Sequence, residues 1–413
     1  MRYKWIAAAS LSALVLLPAI ARGATPVPGG SPIHVNASAH GRHFQPLTAV
    51  FPDGGFVVVW TNGPASGGRT VIHARLFDAS GNPKSGEFRL TEPAVGSQTA
   101  DDLVADRSGS FLVAWSEQDP GKTANVFVRR FRRDGSPAGP RLQANAPNAL
   151  DRAYSHLAVG ADGAFAVAWA ALDFDTYPFY DTVARRFKAD GSPLGPEFLV
   201  DAGDPGIGDD ILDSFPTGLA LGPDGTLTVL FQESALPEGT NTFVNLYPKS
   251  GKGGASVNVN FYGCCREEWV GAALAISPDG GLVTVWRQDE IVARRLSPHG
   301  DLLGPRFVVP KRIYGDDYGD EILPQVAALP DGGFVVTWLG PFADGSTDGN
   351  IYVYTRIFNA DGTAASRDLR LSTVPVNAES APVVAANRRG PVVVVWSQGA
   401  GQTDIYARLL TSP

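Results

Sequence analysis

Hydrophobic residues recur along the chain in a nine-residue block that starts at a polar turn and ends in an aromatic residue. The seven copies are PDGGFVVVW (52–60), RSGSFLVAW (107–115), ADGAFAVAW (161–169), PDGTLTVLF (223–231), PDGGLVTVW (278–286), PDGGFVVTW (330–338) and RRGPVVVVW (388–396). Their last residues lie 52–62 positions apart, and they include six of the eight tryptophans. A period of this length indicates one repeat architecture along the whole chain.

Each repeat predicts four short strands. An Ala-rich stretch precedes the turn, an ARLF-like stretch follows the block, and a G-x-x-F-x-V piece such as GPRFVV (304–309) closes most repeats. The Asp-Gly pairs are strong hairpin signals, and Val, Phe and Trp favour strands. Because the FVVVW strand is apolar on both faces, both faces must be covered. A radial array of four-stranded sheets meets this requirement.

The two chain ends predict how the array closes. The last repeat stops after its third strand, at Leu410, while the missing fourth piece stands near the N-terminus as Gly30–Val35. We therefore predict an all-β, seven-bladed β-propeller of four-stranded blades, in which the N-terminal strand completes the last blade. An open solenoid is the alternative, but it does not explain the split repeat.

The PDGGFVVxW…ARxF unit resembles the β-propeller repeats of exported bacterial proteins over residues 30–413. The resemblance implies this fold and, more often than catalysis, a role as a binding platform. The sequence from Ser277 to Gly281 begins like the S-x-D-x-G of the sialidase Asp-box, but Thr and Trp do not follow at the right offset. The unit also lacks the Trp-docking motif of quinoprotein dehydrogenases, so neither chemistry is carried over.

The first 21 residues have the features of a secretory signal peptide. Arg2 and Lys4 precede an apolar stretch, and Ala19-Ile20-Ala21 is an A-x-A cleavage site. We predict a signal peptide at 1–21 and a single propeller domain at 22–413, secreted or periplasmic and monomeric. No later segment is long and apolar enough to predict a membrane span. A net charge of -8 argues against nucleic acid as a partner.

Residues shared by the repeats are expected to be architectural. The ARxF arginines, predicted to stack on the repeat aromatic ring, are Arg75, Arg129, Arg185, Arg294, Arg356 and Arg408. The predicted turn residues are Asp53, Asp162, Asp224, Asp279 and Asp331.

Function is expected where the repeats differ, on loops of one face. Four adjacent long loops, at 172–182, 201–215, 261–269 and 311–323, are rich in aromatic and acidic residues. They predict a site that binds a carbohydrate or a protein surface. The candidate ligand-binding residues are Trp269, Cys264, Cys265, Tyr262, Tyr314, Tyr318, Tyr177, Tyr180, Asp210 and Asp317.

Cys264 and Cys265 are the only cysteines of the chain. In an oxidising compartment they favour an intrachain disulfide, although adjacent Cα atoms, 3.80 Å apart, are closer than in ordinary bridges. Such a bridge would be a stiff apolar contact beside Trp269. The alternatives are a loop staple, free thiols or an intermolecular bridge.

Signals for cofactors and catalysis are few. No cofactor is predicted; the acidic loops could hold Ca²⁺, but they do not match the D-x-[DN]-x-[DN]-G spacing, and a solvated surface explains them better. No zinc, nucleophile-elbow or nucleotide motif is present. Asp102, His156 and Gln325 occupy equivalent, variable positions on the innermost strands, where they are expected to line the channel. The leading hypothesis is a non-catalytic binding propeller; the alternative is a polysaccharide hydrolase or lyase with carboxylates at the rim.

Overall fold

The protein is a seven-bladed β-propeller in a computed structural model. The structure describes residues 27–411 except 39–40, 65, 67, 93–95, 148–150, 174–178, 201–210, 236–238, 252–253, 261–270, 288–289, 311–323, 341–349, 377–380, 388–389 and 400–402. Within this part of the chain, 28 strands form seven four-stranded antiparallel sheets. No helix in it is long and apolar enough to cross a membrane.

Each blade has an innermost strand, two middle strands and an outer strand. The innermost strands of blades 1 to 7 are β2 (Arg42–Val50), β6 (Ser97–Ala105), β10 (Arg152–Val159), β14 (Ile211–Leu221), β18 (Ala272–Ile276), β22 (Gln325–Ala328) and β26 (Val383–Ala385). The second strands are β3 (Phe56–Gly63), β7 (Phe111–Gln118), β11 (Phe165–Asp173), β15 (Leu227–Ala235), β19 (Leu282–Arg287), β23 (Phe334–Gly340) and β27 (Val392–Gln398). The third strands are β4 (Val71–Phe77), β8 (Asn125–Phe131), β12 (Phe179–Phe187), β16 (Gly239–Tyr247), β20 (Ile291–Leu296), β24 (Tyr352–Phe358) and β28 (Asp404–Thr411). The outer strands are β5 (Phe88–Arg89), β9 (Leu142–Gln143), β13 (Phe198–Leu199), β17 (Ala255–Asn258), β21 (Phe307–Val308), β25 (Leu369–Arg370) and, for blade 7, β1 (Val27–His34).

The blades are stacked around a central channel. Each innermost strand contacts those of the two adjacent blades, so that the seven strands form a closed ring. The second strand is buried on both faces, as predicted: Phe56–Trp60 has no exposed surface, and the six repeat tryptophans are at most 1% exposed. The hydrophobic core consists of layers between adjacent blades.

The N-terminal strand closes the ring, as the split repeat predicts. Strand β1 pairs with β28 of the last blade. The following residue, Val35, is fully buried, and its N–H donates to the carbonyl of Ile405 at 2.8 Å. The closed ring excludes the open solenoid.

The Asp-Gly turns have the predicted local role. In five turns the Asp side chain accepts a hydrogen bond of 2.9–3.2 Å from the backbone N–H two residues later. These aspartates are Asp53, Asp162, Asp224, Asp279 and Asp331. They hold the turns that form one face of the propeller, the turn face. The opposite face, where the innermost strands begin, is the loop face.

The ARxF arginines are architectural, but the predicted stacking partner is wrong. In four repeats the guanidinium lies 5.5–5.9 Å from the phenylalanine two residues later instead of from the repeat tryptophan. Five of these arginines donate from Nη1 to a carbonyl that follows the outer strand of the preceding blade, at 2.7–3.1 Å. They are Arg75, Arg185, Arg294, Arg356 and Arg408. Each of these five arginines therefore connects its blade to the preceding one.

Replacing one of these arginines is expected to loosen a single blade junction. Arg185 donates from Nε to the carbonyl of Gly195 and from Nη1 to that of Ala144, both at 3.1 Å. Because hydrogen bonds from charged donors contribute roughly 1.5–3 kcal/mol, Arg185→Met should lower the free energy of unfolding by about 2 kcal/mol in urea titrations. The control is Arg132→Met, since the exposed Arg132 bonds only within its own turn; equal losses in both variants would contradict the assignment.

Candidate functional site

The innermost strands of blades 1 to 4 each contain a β-bulge at the same register, beside the repeat aromatic residue. Such bulges redirect side chains and are frequent next to functional sites. Each bulge adds one residue to the innermost strand; the bulged residues are Gln45 and Pro46, Asp101, Tyr154 and Ser155, and Thr217. The bulges of blades 2 and 3 place Asp101, Tyr154 and Ser155 together where these two blades meet.

Tyr154 is the most unusual of these residues. Its φ is 54°, in the left-handed region, and 60% of its surface is exposed. Its ring contacts Phe215 of blade 4 edge-on, with 5.5 Å between the centroids, and Phe215 lies 4.8 Å from Tyr180 of blade 3. We call these three rings the aromatic platform. Backbone strain of this kind is frequent at binding sites, which makes the exposed ring of Tyr154 a candidate contact for a ligand.

Asp101 connects blades 2 and 3 through Ser155, the residue that follows Tyr154. Its Oδ2 accepts hydrogen bonds from Ser116 Oγ on β7 at 2.7 Å and from Ser155 Oγ on β10 at 2.6 Å. Burial raises the pKa of Asp101 to about 6, although the two serine hydroxyls act in the opposite direction. The carboxyl group is therefore one whose protonation changes near neutral pH.

This pKa predicts a pH effect on stability. The folded state binds the Asp101 proton more tightly than the unfolded state, for which the ordinary value is 3.8. The contribution of Asp101 to the free energy of unfolding is therefore complete below pH 3.8 and is lost as the pH rises through about 6. Relative to Asp101→Asn, which stays neutral, the wild type should lose on the order of 1–2 kcal/mol between pH 5 and 7.5.

Urea titrations of both proteins at the two pH values measure this difference. Burial lowers the pKa of His43, which gives an opposite pH dependence, but that contribution is common to both proteins and cancels. Parallel pH curves for the wild type and the variant would contradict the assignment to Asp101.

Asp102 and His156, both predicted to line the channel, lie side by side. In the strand pairing, Asp102 lies opposite Ala114 and His156 lies opposite Ala168. Gln325 lies opposite Thr337. All three partners directly precede a repeat tryptophan, so the three positions are equivalent. His156 Nδ1 is 3.7 Å from Asp102 Oδ2, and about a quarter of each side chain is exposed. Asp102 Oδ2 also accepts the N–H of Leu157 at 2.7 Å. These side chains can exchange hydrogen bonds with a ligand while they remain anchored.

Polar groups surround the platform on the loop face. Asp213 Oδ1 accepts the N–H of Tyr180 at 2.9 Å, and burial raises the pKa of Asp213 in spite of that bond. Burial, followed by the charge of Asp151, raises the pKa of Tyr180. The buried Arg152 begins β10, and burial lowers its pKa against the influence of Glu197 and Asp151.

The other end of the channel is a weaker candidate. A cavity of about 340 Å³ opens there, lined by turn residues of six blades. Its polar groups hold the turns. Asp106 forms an ion pair with Arg130 and accepts a hydrogen bond from the N–H of Ser108. The Asn387 side chain donates to the carbonyl of Phe51 and accepts from the N–H of Gly390. The loop-face end, with its exposed ring, is therefore the candidate site.

Of the predicted ligand-binding residues, the structure describes Tyr180 and places it in the aromatic platform. The others lie outside the described residues: Trp269, Cys264, Cys265, Tyr262, Tyr314, Tyr318, Tyr177, Asp210 and Asp317. The structure adds Tyr154 and Asp101, which sequence reasoning missed, and Phe215, the last residue of the predicted loop 201–215. The pair Asp101-Asp102 gave no usable signal, because alternation directs consecutive side chains to opposite faces, whereas both carboxyl groups contact blade 3. Among the residues described, no three His, Cys, Asp or Glu side chains are grouped as metal ligands.

Comparisons with known proteins define the architecture and no more. No protein-family profile and no curated protein matches the chain. A protein of unknown function from Dyadobacter fermentans is similar in structure, with a TM-score of 0.54, 14% identity and coverage of 95% of this chain and 100% of that one. The Hadza microbial sialidase Hz136 has a TM-score of 0.52 at 12% identity, with coverage of 86% of this chain and 76% of its own. These similarities show the propeller fold.

Proposed function

We propose that this propeller binds carbohydrate at the loop-face end of its channel, with a sugar ring stacked on Tyr154. The observation that carries the proposal is the exposure of Tyr154 in a left-handed conformation, supported edge-on by Phe215. Non-glycine residues in such conformations cost about 1–3 kcal/mol, and they persist where the surroundings or function require them. A flat ring beside polar groups suits a pyranose, which has an apolar face and hydroxyl edges.

The charges around the platform favour neutral sugars over acidic ones. Asp101, Asp102, Asp151 and Asp213 lie on or next to the inner strands of blades 2 to 4, and the nearby Arg152 is buried. Carboxylates accept hydrogen bonds from sugar hydroxyls, whereas they repel uronic or sialic acids. We therefore infer that the ligand is a neutral or amino-substituted glycan.

The long loops predicted to bind ligand would extend the same site. The described strands that flank 174–178, 201–210, 261–270 and 311–323 have their facing ends at the loop face. We propose that Trp269, Tyr314 and Tyr318 contribute further stacking surfaces, and that the protein is exported by its signal peptide.

Trp269→Ala is expected to weaken glycan binding while the melting temperature stays nearly unchanged; a large drop in melting temperature would instead make Trp269 structural.

A glycan array tests the proposal with the mature chain, residues 22–413. The wild type should bind a set of neutral or amino glycans, and Tyr154→Ala should lose the whole set. Gln45→Ala is the matched control, because Gln45 is exposed at the equivalent bulge of blade 1 with a φ of 50°. Absence of binding by the wild type, or an equal loss in both variants, would refute a glycan site at Tyr154.

Hydrolysis of the bound glycan is the second candidate function. The observation in its favour is the pair of consecutive carboxyl groups next to Tyr154: Asp101, which is hydrogen-bonded to Ser155 and whose pKa is raised to about 6 by burial, and the partly exposed Asp102. Asp102, the next residue, would then be the second carboxylate that glycoside hydrolysis requires. Chromatography of oligosaccharides incubated with the wild type and with Asp101→Asn separates the two functions. Binding without cleavage by the wild type supports a lectin-like role. Cleavage by the wild type but not by Asp101→Asn supports a hydrolase.

A further inference from the structure

The outer strand of one blade packs against the following blade at a repeated contact. In five junctions an aliphatic or aromatic side chain covers the turn glycine between the third and outer strands of the next blade. The pairs are Ile33 on Gly81, Phe88 on Gly135, Leu142 on Gly191, Val257 on Gly300 and Phe307 on Gly362. A methyl group on any of these glycines would meet the covering side chain; at Gly362 it would lie 3.1 Å from Phe307. The glycine forms a notch for one apolar side chain.

The junction between blades 3 and 4 departs from this pattern. The equivalent glycine, Gly251, would have no heavy atom within 4 Å of an added Cβ. The expected covering residue, Phe198, contacts Tyr247 instead, with 5.1 Å between ring centroids. Tyr247 replaces the phenylalanine of the ARxF motif, and its hydroxyl donates to the carbonyl of Val200 at 2.6 Å. The divergent fourth repeat therefore leaves its notch open.

The open notch belongs to a groove of about 510 Å³ between blades 3 and 4. The groove extends from the turns beside the channel, at Gly160 and Gly222, to the outer strand at Phe198. Its wall includes Phe187, Phe198, Leu194 and Leu221, and Leu194 is 55% exposed. At its rim, Lys249 and Asp162 lie 3.9 Å apart. The volume is within the range of about 300–1,000 Å³ found for ligand sites.

We propose that this groove is a peptide-binding site, in which an extended segment of a partner protein inserts one aliphatic or aromatic side chain. The other five junctions show the chemistry that fits the notch, since each is filled by such a side chain from a strand. The elongated groove suits an extended chain, and the outer edge of β13 is available for backbone pairing because β13 is the last strand of its sheet. This site lies on the turn face, away from the aromatic platform.

The protein supplies a probe for the test. The hexapeptide GPRFVV, the sequence of residues 304–309, carries the phenylalanine that fills the notch of blade 6. Fluorescence anisotropy of the labelled peptide should show saturable binding to the mature chain. The same peptide with Phe307→Ala should bind about tenfold more weakly.

Two tryptophan variants locate the binding. Gly195 lines the groove, has no atom within 4 Å of an added Cβ and is outside the left-handed region, so that Gly195→Trp fills the groove without strain. Gly139→Trp is the matched control. The Gly139 carbonyl accepts a hydrogen bond from Arg129 Nε in blade 2, as the Gly195 carbonyl does from Arg185 Nε in blade 3. An added Cβ at Gly139 would also have no heavy atom within 4 Å. We expect a loss of about tenfold in peptide affinity for Gly195→Trp only. Equal affinity of the two peptides, or of the two variants, would overturn the proposal.

Discussion

Removing the N-terminal strand is expected to destroy the cooperative folding of the whole ring. Deletion of residues 27–35 takes away the partner of β28 and the fully buried Val35. It also removes the carbonyls of Gly30 and Val35, which accept hydrogen bonds from Arg408 and Arg75. The seventh blade would then end in an unpaired edge.

The expected loss is comparable to the stability of an entire domain. Burial of a valine or isoleucine side chain contributes about 1.5–3 kcal/mol, and each net hydrogen bond about 1 kcal/mol. The lost contacts therefore sum to several kcal/mol, against a typical total of about 5–15 kcal/mol. An exposed edge of β28 also favours pairing between molecules.

Calorimetry and size-exclusion chromatography measure the outcome. The deleted chain should lack a sharp unfolding transition and elute as larger species, and a synthetic peptide of residues 27–36 should restore the transition. A chain that begins at Arg22 and keeps all of β1 is the control. Transitions within a few degrees of each other in the two chains would show that the ring does not depend on this strand.

Replacing Tyr154 is expected to weaken glycan binding about tenfold or more without a matching loss of stability. Tyr154→Gly removes the ring. It also removes the backbone strain of a left-handed non-glycine residue, which costs about 1–2 kcal/mol. The lost edge contact with Phe215, about 0.5–1.5 kcal/mol, offsets this gain, so that the free energy of unfolding should change by less than about 1 kcal/mol. Tyr154→Ala keeps the strain and should be the less stable of the two.

Affinity and stability are then compared across these variants. Both should bind the best glycan about tenfold more weakly or worse, since stacking is lost in each. Gln45→Gly, at the matching bulge of blade 1, should become more stable and bind normally. Glycan affinity that falls in proportion to stability would mean that Tyr154 acts through folding.

The fold could be predicted from the sequence because its signals are local and repeated. The apolar blocks predict seven blades, which the seven sheets confirm. The split repeat predicts the closure, which the pairing of β1 with β28 confirms. The role of the repeated arginines was predicted only in part. Their carbonyl partners belong to the preceding blade, 35 or more residues away, and sequence patterns do not reveal such contacts.

The candidate site was less accessible to sequence reasoning, because bulges determine it. A one-residue insertion in a strand exchanges its two faces, so that alternation gives the wrong direction for Asp101 and Tyr154. The pairing registers around these bulges are properties of the folded sheets. The open notch at Gly251 likewise depends on the position of Phe198 and not only on its identity.

A crystal structure of the mature protein with its best-bound neutral oligosaccharide tests the central claim most directly. We expect a pyranose ring stacked on the exposed face of Tyr154, with hydroxyl groups within hydrogen-bond distance of Asp102, His156 or Asp213. A sugar bound elsewhere on the propeller, with Tyr154 still exposed to solvent, would contradict the assignment of the site.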